Sequence, residues 1–276
     1  MCSSLGCCPV TRRGMEQFSD PTPRRQRSLK MVCGAFYIPK ERGSNPRGDD
    51  AHFIFEEKQT IGVADGVGSW SEKGVDAGEY ARKLMSNFFG VLGNYPTEES
   101  NHNFNLKHIL NEAYLKTKVP GSSTACILTL KNNSLHAVNV GDSGFLLLRD
   151  GEEFYKSPIQ TSRFNCPRQL GKCASTPSVA QVSEMPVQAG DVIILGTDGL
   201  FDNLFTKDIR DVANFLGGAG ADPDQVARSI SEHAYYNSID KSAFTPFTEA
   251  SLRNGMAYFG GKKDDITVVV AFVVSK

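Results

Sequence analysis

The sequence predicts an α+β fold in which antiparallel β-sheets are stacked on one another and covered by helices. Short apolar segments outnumber those that a simple β-α-β alternation would contain, so most strands must pair with antiparallel neighbours. Amphipathic segments with apolar residues at helical spacing lie between the groups of strands. The chain closes on "DDITVVVAFVV", at residues 264–274, which is typical of a buried strand.

The N-terminal part of the chain predicts a tail followed by a strand and a β-hairpin. Residues 1–30 are rich in Arg, Ser and Pro, which predicts a flexible tail, and we expect one domain over residues 31–276. An organellar presequence, palmitoylation of the N-terminal cysteines and an incidental chain end are the alternatives for this tail. "MVCGAFYI", at 31–38, predicts the first strand, and "AHFIFEEKQTIGVADG", at 51–66, predicts the hairpin.

Four amphipathic helices are predicted, because four apolar stripes each follow residues that favour the start of a helix. Between the second and third helices, "STACILTL", "LHAVNVGDSGFLLLRDGEEFY" and "DVIILGT" predict strands in series. Residues 238–263 are rich in Ser, Thr, Phe and Gly, which predicts a loop that forms a surface flap. The residues that begin the four helices are Asp76 with Glu79, Asn105, Thr206, and Asp222 with Pro223.

The composition excludes several classes of function. The net charge of −1 over 276 residues gives no overall field that would attract nucleic acid, and no apolar run approaches the ~20 residues that span a bilayer. Seven cysteines, an odd number, fit reduced thiols in an intracellular protein better than a disulfide framework. The cysteines and histidines lack the spacing of a zinc site. We therefore expect a soluble, intracellular monomer whose function depends on a local site.

Carboxylates stand at the ends of many predicted strands. An Asp-Gly pair is most often a turn, and Asp150-Gly151, with its charged neighbours, fits that interpretation. The pairs that begin at Asp65 and Asp198 instead end apolar segments, and the predicted hairpin places Asp65 beside two further carboxylates. A solvated loop could disperse these charges, but carboxylates that converge at ~4 Å repel by several kcal/mol unless cations lie between them. The strand-end carboxylates are Asp49, Asp50, Asp65, Asp142, Asp198, Asp264 and Asp265.

If these carboxylates converge, their oxygen-only chemistry points to the hard ions Mg²⁺ or Mn²⁺. The close D-x-D-x-D-G spacing of a calcium loop does not occur in the sequence. A haloacid-dehalogenase-type nucleophile would be an Asp two residues before Asp65, and Val63 stands there. A cysteine phosphatase loop would place Arg six residues after Cys166 or Cys173, and neither cysteine has one.

The chain contains, in this order, "GDDAHF", "VADGVGSW", "GSSTACILTL", "NVGDSGFLLLRDG", "GTDGLFDNL" and "KKDDITVVV". These six segments resemble the motifs of the metal-dependent protein phosphatases of the type 2C class. The resemblance runs from about Met31 to the C-terminus, and its specificity comes from the order of the six segments. The "DGVGSW" form is most similar to the eukaryotic branch that includes mitochondrial and plastid members, and a cytoplasmic location stays open.

The resemblance implies a four-layer sandwich of two antiparallel β-sheets flanked by α-helices, with two Mg²⁺ or Mn²⁺ ions in the cleft between the sheets. It implies a protein serine/threonine phosphatase, in which a bridging water activated by both ions attacks the phosphate monoester. The partners would be phosphoserine or phosphothreonine protein substrates. The residues that would act in catalysis through this water are Asp50, Asp65, Asp198 and Asp264.

The resemblance also assigns individual metal ligands. Asp65 would bridge both ions, and the backbone carbonyl of Gly66 would bind one of them. Asp198 and Asp264 would hold the ion opposite that carbonyl, and Asp142 together with Asp198 would support a weaker third ion. The carboxylates that would act mainly through metal-bound water are Asp50 and, beside it, Asp49.

Three positions depart from the family pattern. Asp265 stands where the family usually has Asn and is expected to lie behind the metal ligands, and the other two departures concern the phosphate. Val67 stands where many members have His, a candidate proton donor to the leaving group, so the general acid is unassigned. Asn45 stands where the family has a phosphate-binding Arg, and Arg47 or Arg42 of the same loop are the candidates to replace it. These departures leave one alternative function, a catalytically weak or inactive phosphatase-fold scaffold that acts through protein binding.

Overall fold

Two five-stranded antiparallel β-sheets lie face to face at the centre of the protein. The computed structural model describes Met1 and residues 28–40, 47–95 and 104–276. The first sheet has the order β1 (Leu29–Ile38), β14 (Ile266–Ser275), β13 (Val192–Gly196), β7 (Gly144–Arg149) and β8 (Glu152–Lys156). The second sheet has the order β12 (Gln181–Pro186), β6 (Ser134–Val140), β5 (Ala125–Lys131), β3 (Thr60–Asp65) and β2 (Asp50–Phe55). Two short strand pairs accompany them, β4 (Ser122–Ser123) with β11 (Leu170–Gly171), and β9 (Thr161–Arg163) with β10 (Cys166–Pro167).

Helices cover the outer face of each sheet. The second sheet packs against α1 (Ala77–Gly93) and α2 (Leu106–Lys116), and the first packs against α4 (Thr206–Gly218) and α5 (Pro223–Ile239). A single turn, α3 (Asp198–Phe201), follows β13, and α6 (Pro246–Arg253) follows α5. This arrangement of helix, sheet, sheet and helix confirms the predicted four-layer α+β sandwich.

Alternating side chains along the central strands build three apolar layers. In β3, Ile61 and Val63 are fully buried between the sheets, whereas Ala64 faces α1 and α2. In β14, Val269 lies between the sheets and Val270 faces α4 and α5. Burying each Val or Ile contributes ~1.5–3 kcal/mol, and a shift of one residue would turn these side chains to the wrong face. The strand ends that carry the carboxylates are therefore held in a fixed register.

The predicted helix starts are confirmed. Asp76 and Asn105 accept hydrogen bonds from backbone N–H groups in the first turns of α1 and α2. Asp222 and Gln225 form a capping box at α5, and α4 begins at Thr206. Side-chain caps of this kind satisfy N–H groups that have no partner within the helix.

The predicted loop over residues 238–263 is wrong in part, because it contains α6. Thr245 caps this helix by accepting a hydrogen bond from the Thr248 N–H at 3.2 Å, and Pro246 occupies the first helical position. The Thr245 and Thr248 hydroxyl groups both donate to the Gly260 carbonyl oxygen, at 3.3 and 3.0 Å. These bonds tie the segment after α6 to the start of the helix.

The N-terminal strand extends slightly beyond its predicted start at Met31. β1 begins at Leu29, which pairs with Ser275 of β14. The predicted flexible tail falls on residues 2–27, which lie outside the described residues. Among the helices of the described ranges, none combines the length and apolar character needed to cross a membrane.

Candidate metal centre

The hairpin of β2 and β3 brings the first carboxylates together. Asp50 stands directly opposite Asp65 in the antiparallel register, as the sequence predicted. The Gly66 N–H donates to the Asp49 carbonyl oxygen at 3.1 Å, which extends the pairing by one residue. The hydroxyl of Thr124 accepts a hydrogen bond from the Asp65 N–H at 2.9 Å. The end of β3 is therefore held from both sides.

The other sheet supplies carboxylates at the same edge. Gly196 of β13 pairs with Gly144 of β7, so Asp198, just after β13, and Asp142, just before β7, lie at one edge of that sheet. One carboxylate oxygen from each of Asp65, Asp142 and Asp198 lies within 4.8 Å of the other two. Three residues that are distant in sequence thus form one acidic group between the two sheets.

Asp50 is almost fully buried beside this group, with 4% of its surface exposed. Its Oδ2 accepts hydrogen bonds from the hydroxyls of Thr197 at 2.8 Å and Thr267 at 2.7 Å. Its Oδ1 is buried and has no hydrogen-bond partner. The two threonines fix the carboxylate and leave one oxygen available, and neither threonine is predicted from the sequence.

Two lysine ammonium groups lie against the acidic centre. Lys40 Nζ is 3.1 Å from Asp264 Oδ1, and Lys262 Nζ is 3.6 Å from Asp264 Oδ2. Lys262 also forms ion pairs with Asp198 and, at 2.7 Å, with Asp202. Asp264 thus lies outside the group of three carboxylates, and both of its oxygens face lysines. Neither Lys262 nor Asp202 is predicted from the sequence, although Asp202 follows Asp198 by one helical turn.

Asp265, at a position where the family pattern has Asn, is 2% exposed and anchors the loop before β2. Its carboxylate accepts hydrogen bonds from the Tyr37 hydroxyl at 2.8 Å, from the Lys40 N–H at 2.8 Å and from the Asp49 N–H at 3.2 Å. An aspartate can accept all three bonds, whereas the NH₂ of an asparagine would oppose one of these donors. Burial, with Asp50 and Asp265 nearby, raises the pKa of Tyr37, so its hydroxyl stays a donor.

The residues that depart from the family pattern lie around the same loop. Arg42 lies outside the described residues. Arg47 is exposed, and its carbonyl oxygen is 3.0 Å from the Tyr37 hydroxyl. Val67 donates its backbone N–H to the Ser122 carbonyl oxygen at 3.0 Å.

The electrostatics of the centre fit a divalent cation. Burial raises the pKa of Asp65 well above its usual value, and the charges of Asp198, Asp50, Asp264 and Asp142 raise it further. Burial, together with Asp198 and Asp202, raises the pKa of Asp142 to about 8. Asp50, Asp142 and Asp198 each have a buried Oδ1 without a hydrogen-bond partner. Unsatisfied, like-charged oxygen ligands of this kind fit hard ions such as Mg²⁺ and Mn²⁺.

We expect the metal-free protein to lose stability as the pH rises from about 5 to about 8. In the folded state the pKa is about 8 for Asp142 and about 6 for Asp202, whereas an unfolded Asp titrates near ~3.9. The folded state therefore binds more protons in this window, and the free energy of unfolding falls by ~1.4 kcal/mol per pH unit for each such proton. Thermal unfolding in EDTA between pH 5.5 and 8.5 measures this slope.

Mn²⁺ should make the free energy of unfolding less dependent on pH, because a bound cation replaces the protons on the buried carboxyl groups. Asp142→Asn should make the free energy of unfolding in EDTA depend less on pH above pH 6. The reason is that it removes the Asp142 carboxyl, whose pKa is higher than that of Asp202. A melting temperature in EDTA that rises with pH across this window would contradict the assignment.

A cavity of about 660 Å³ opens beside the acidic centre. Asp142 and Asp202 line one end of it, the β9–β10 hairpin forms one wall, and α6 forms another. Phenylalanine rings are part of its lining, and the ring centroids of two of them, Phe164 and Phe247, lie 5.1 Å apart. The cationic residues of its lining are Lys156, Arg163 and Arg253.

The fold and the site together define a class: a four-layer α+β sandwich with an oxygen-only acidic centre between its sheets. The chain belongs to the protein phosphatase 2C family, because the sequence profile described as "Protein phosphatase 2C" matches residues 40–227. This confirms the resemblance of the six sequence segments.

Individual relatives agree with this assignment. The chain is 43% identical over 265 residues to "Probable protein phosphatase 2C 80" of Arabidopsis thaliana, an alignment that covers 95% of this chain. Its fold matches the X-ray structure of the photosystem II phosphatase PBCP with a TM-score of 0.78 and 30% identity, covering 88% of this chain and 98% of that one. The catalytic domain of the serine threonine protein phosphatase PstP, solved with two manganese ions, shares the fold with a TM-score of 0.64 and 20% identity, covering 90% and 100%.

The chain spans only part of its curated relatives. It covers 63% of the Arabidopsis protein's length, and 52% and 43% of two further relatives. The family profile, over residues 40–227, contains the whole second sheet and the three grouped carboxylates of Asp65, Asp142 and Asp198.

Proposed function

We propose that this protein is a Mg²⁺- or Mn²⁺-dependent protein serine/threonine phosphatase. The observation that carries the proposal is the group of three carboxylates, of Asp65, Asp142 and Asp198, within 4.8 Å of one another in a chain of the protein phosphatase 2C family. Carboxylates suit this chemistry because they bind divalent ions without cancelling their ability to polarise a phosphate.

Two ions would be held by side chains from both sheets. Asp65 would contact both ions, the Gly66 carbonyl would contact one, and Asp198 with Asp264 would hold the other. Asp49 and Asp50 would contribute from the loop and strand beside them. When bound, two divalent ions supply Lewis acidity toward the phosphoryl group and lower the pKa of the water that attacks it. Asp264 would have to exchange its contacts with Lys40 and Lys262 for the ion.

The residues of the chain would orient the reaction around these ions. The hydroxyls of Thr197 and Thr267 hold Asp50 Oδ2, so Oδ1 is the oxygen that would act on the attacking water. Arg47, or Arg42 in the same loop, would bind the substrate phosphate through its fork-shaped guanidinium. The aromatic cavity beside Asp142 is where the polypeptide around a phosphoserine or phosphothreonine would lie.

The proposal extends to the cellular setting. We propose a monomer that acts on phosphoproteins inside the cell, since the seven cysteines are odd in number and fit a reducing compartment. Mitochondrion, plastid and cytoplasm are the alternatives, and a fluorescent fusion of the complete protein distinguishes them.

A phosphatase assay tests the central claim. The chain should release phosphate from a phosphothreonine peptide with Mn²⁺ or Mg²⁺ and lose this activity in excess EDTA. Asp198→Ala should lower the rate at least ~100-fold, because losing even a residue that supports a metal ligand costs 10–100-fold. Asp208→Ala, exposed on α4, is the matched control and should keep the wild-type rate. A scaffold without catalytic activity would show no metal-dependent phosphate release in either wild type or control.

A further inference from the structure

Lys262 is a buried cation whose ammonium group is in contact with the acidic centre. Only 14% of its side chain is exposed, and its Nζ forms ion pairs with Asp198 Oδ2 and, at 2.7 Å, with Asp202 Oδ2. Asp264 Oδ2 lies 3.6 Å from the same nitrogen. A lysine is rarely buried to this extent unless anions pair with it, and here three of them do.

The backbone of Lys262 is clamped in place. The side-chain oxygen of Asn203 accepts a hydrogen bond from the Lys262 N–H at 2.9 Å, and the Asn203 Nδ2 donates to the Lys262 carbonyl oxygen at 2.9 Å. Asn203 is fully buried. Gly261, the residue before Lys262, packs closely on α5. A Cβ at Gly261 would stand 1.9 Å from the Asn237 carbonyl oxygen. The ammonium group is therefore positioned by the fold.

Lys262 leaves one oxygen of Asp198 without a hydrogen-bond partner. It binds Asp198 through Oδ2, while Asp198 Oδ1 is buried without a hydrogen-bond partner. Asp142 Oδ1 is likewise buried without one. Asp198 therefore has one oxygen, Oδ1, left for an ion between the sheets, because its Oδ2 and Asp202 Oδ2 share one ammonium.

We propose that Lys262 is a resident cation that occupies the position between Asp198 and Asp202, so that this centre binds two divalent ions and not a third one. The inference rests on the proposed metal-dependent function, and it differs from the sequence-based expectation of a weaker third ion at Asp142 with Asp198. An Mg²⁺ ion needs oxygen ligands at ~2.0–2.1 Å on all sides, and an ammonium in hydrogen-bond contact with both carboxylates fills that volume. Lys262 supplies its charge at any metal concentration.

Metal counting tests the inference. Mn²⁺ alone is the probe, and free Mn²⁺ is measured by electron paramagnetic resonance as the full chain is titrated. We expect two bound ions per wild-type chain and three per Lys262→Met chain, because Met keeps the side chain out to Cε and removes the charged nitrogen. Lys263→Met, the exposed neighbour, is the matched control and should bind two ions.

A second readout is thermal stability. Lys262→Met should melt at a lower temperature than wild type in EDTA, because two buried carboxylates lose their counter-charge. It should also gain more from millimolar Mn²⁺ than wild type does. Asp202→Asn is the second variant, for the case in which Lys262→Met does not fold. It should still bind two ions, because Asp202 contacts Lys262 and not a metal ion.

Three bound ions in wild type, or equal counts in wild type and a folded Lys262→Met, would overturn the role of Lys262 while leaving the phosphatase proposal standing. A fall in the ion count on Asp202→Asn would overturn it too. Absence of any Mn²⁺ binding by wild type would instead remove the proposed function on which the inference depends.

Discussion

Replacing Asp65 by Asn is expected to lower kcat/KM toward a phosphothreonine peptide by ~10³-fold or more at saturating Mn²⁺. Asp65 belongs to the group of three carboxylates and lies opposite Asp50, so both proposed ions depend on its oxygens. Asn keeps the shape of the side chain but removes its charge. A loss of ~4 kcal/mol of transition-state stabilisation, the scale of metal-ion catalysis, corresponds to that factor.

The same variant should separate catalysis from folding. Burial and four neighbouring carboxylates raise the pKa of Asp65, so its charge is unfavourable in the metal-free protein. Asp65→Asn should therefore melt in EDTA at the wild-type temperature or above, and the rise that Mn²⁺ causes in wild type should shrink. Asp150→Asn, in the exposed turn between β7 and β8, is the matched control from another Asp-Gly pair. Wild-type kcat/KM in Asp65→Asn would remove Asp65 from the site.

Patterns that are local in sequence predicted most of the fold. The hairpin of β2 and β3 follows from two apolar segments with a short connection, and its register alone places Asp50 opposite Asp65. Helix starts follow from side chains that satisfy N–H groups in the next turn, as at Asn105. These interactions join residues a few positions apart, so one segment contains all the information needed to recognise them.

The partners of the carboxylates could not be predicted in this way. Thr197 and Asp50 are 147 positions apart, and only the meeting of the two sheets brings them to hydrogen-bond distance. Lys262 and Asp202 are 60 positions apart, and Lys262 lies in the segment for which only a loop was predicted. The start of α6 did carry a local signature, because Thr245-Pro246 repeats the cap and first-position pair that marks α5. The composition of residues 238–263, rich in Ser, Thr, Phe and Gly, nevertheless favoured the prediction of a loop.

Gly66→Ala is expected to lower the free energy of unfolding by ~2–3 kcal/mol and kcat/KM by ~10²-fold. A Cβ at Gly66 would stand 2.2 Å from the Ala77 carbonyl oxygen and 2.7 Å from the Asp49 carbonyl oxygen. Both obstacles are backbone atoms, so the first turn of α1 or the end of β3 must shift, and forced shifts of this kind cost ~1–3 kcal/mol. Asp65 precedes Gly66 directly, and a displacement of ~1 Å at a catalytic group can cost ~10²-fold.

Gly90→Ala is the matched control, because it makes the same chemical change at a glycine away from the metal centre. Gly90 lies in α1 with open space around its Cα, and Ala is the better helix former by ~0.5–1 kcal/mol. The same chemical change should therefore stabilise the protein at Gly90 and leave kcat/KM unchanged. Urea unfolding and peptide dephosphorylation, measured on both variants, compare the two positions directly. If Gly66→Ala matched Gly90→Ala in both measurements, the backbone beside Asp65 would have room for a methyl group. The conclusion that the end of β3 is held in place would then be wrong.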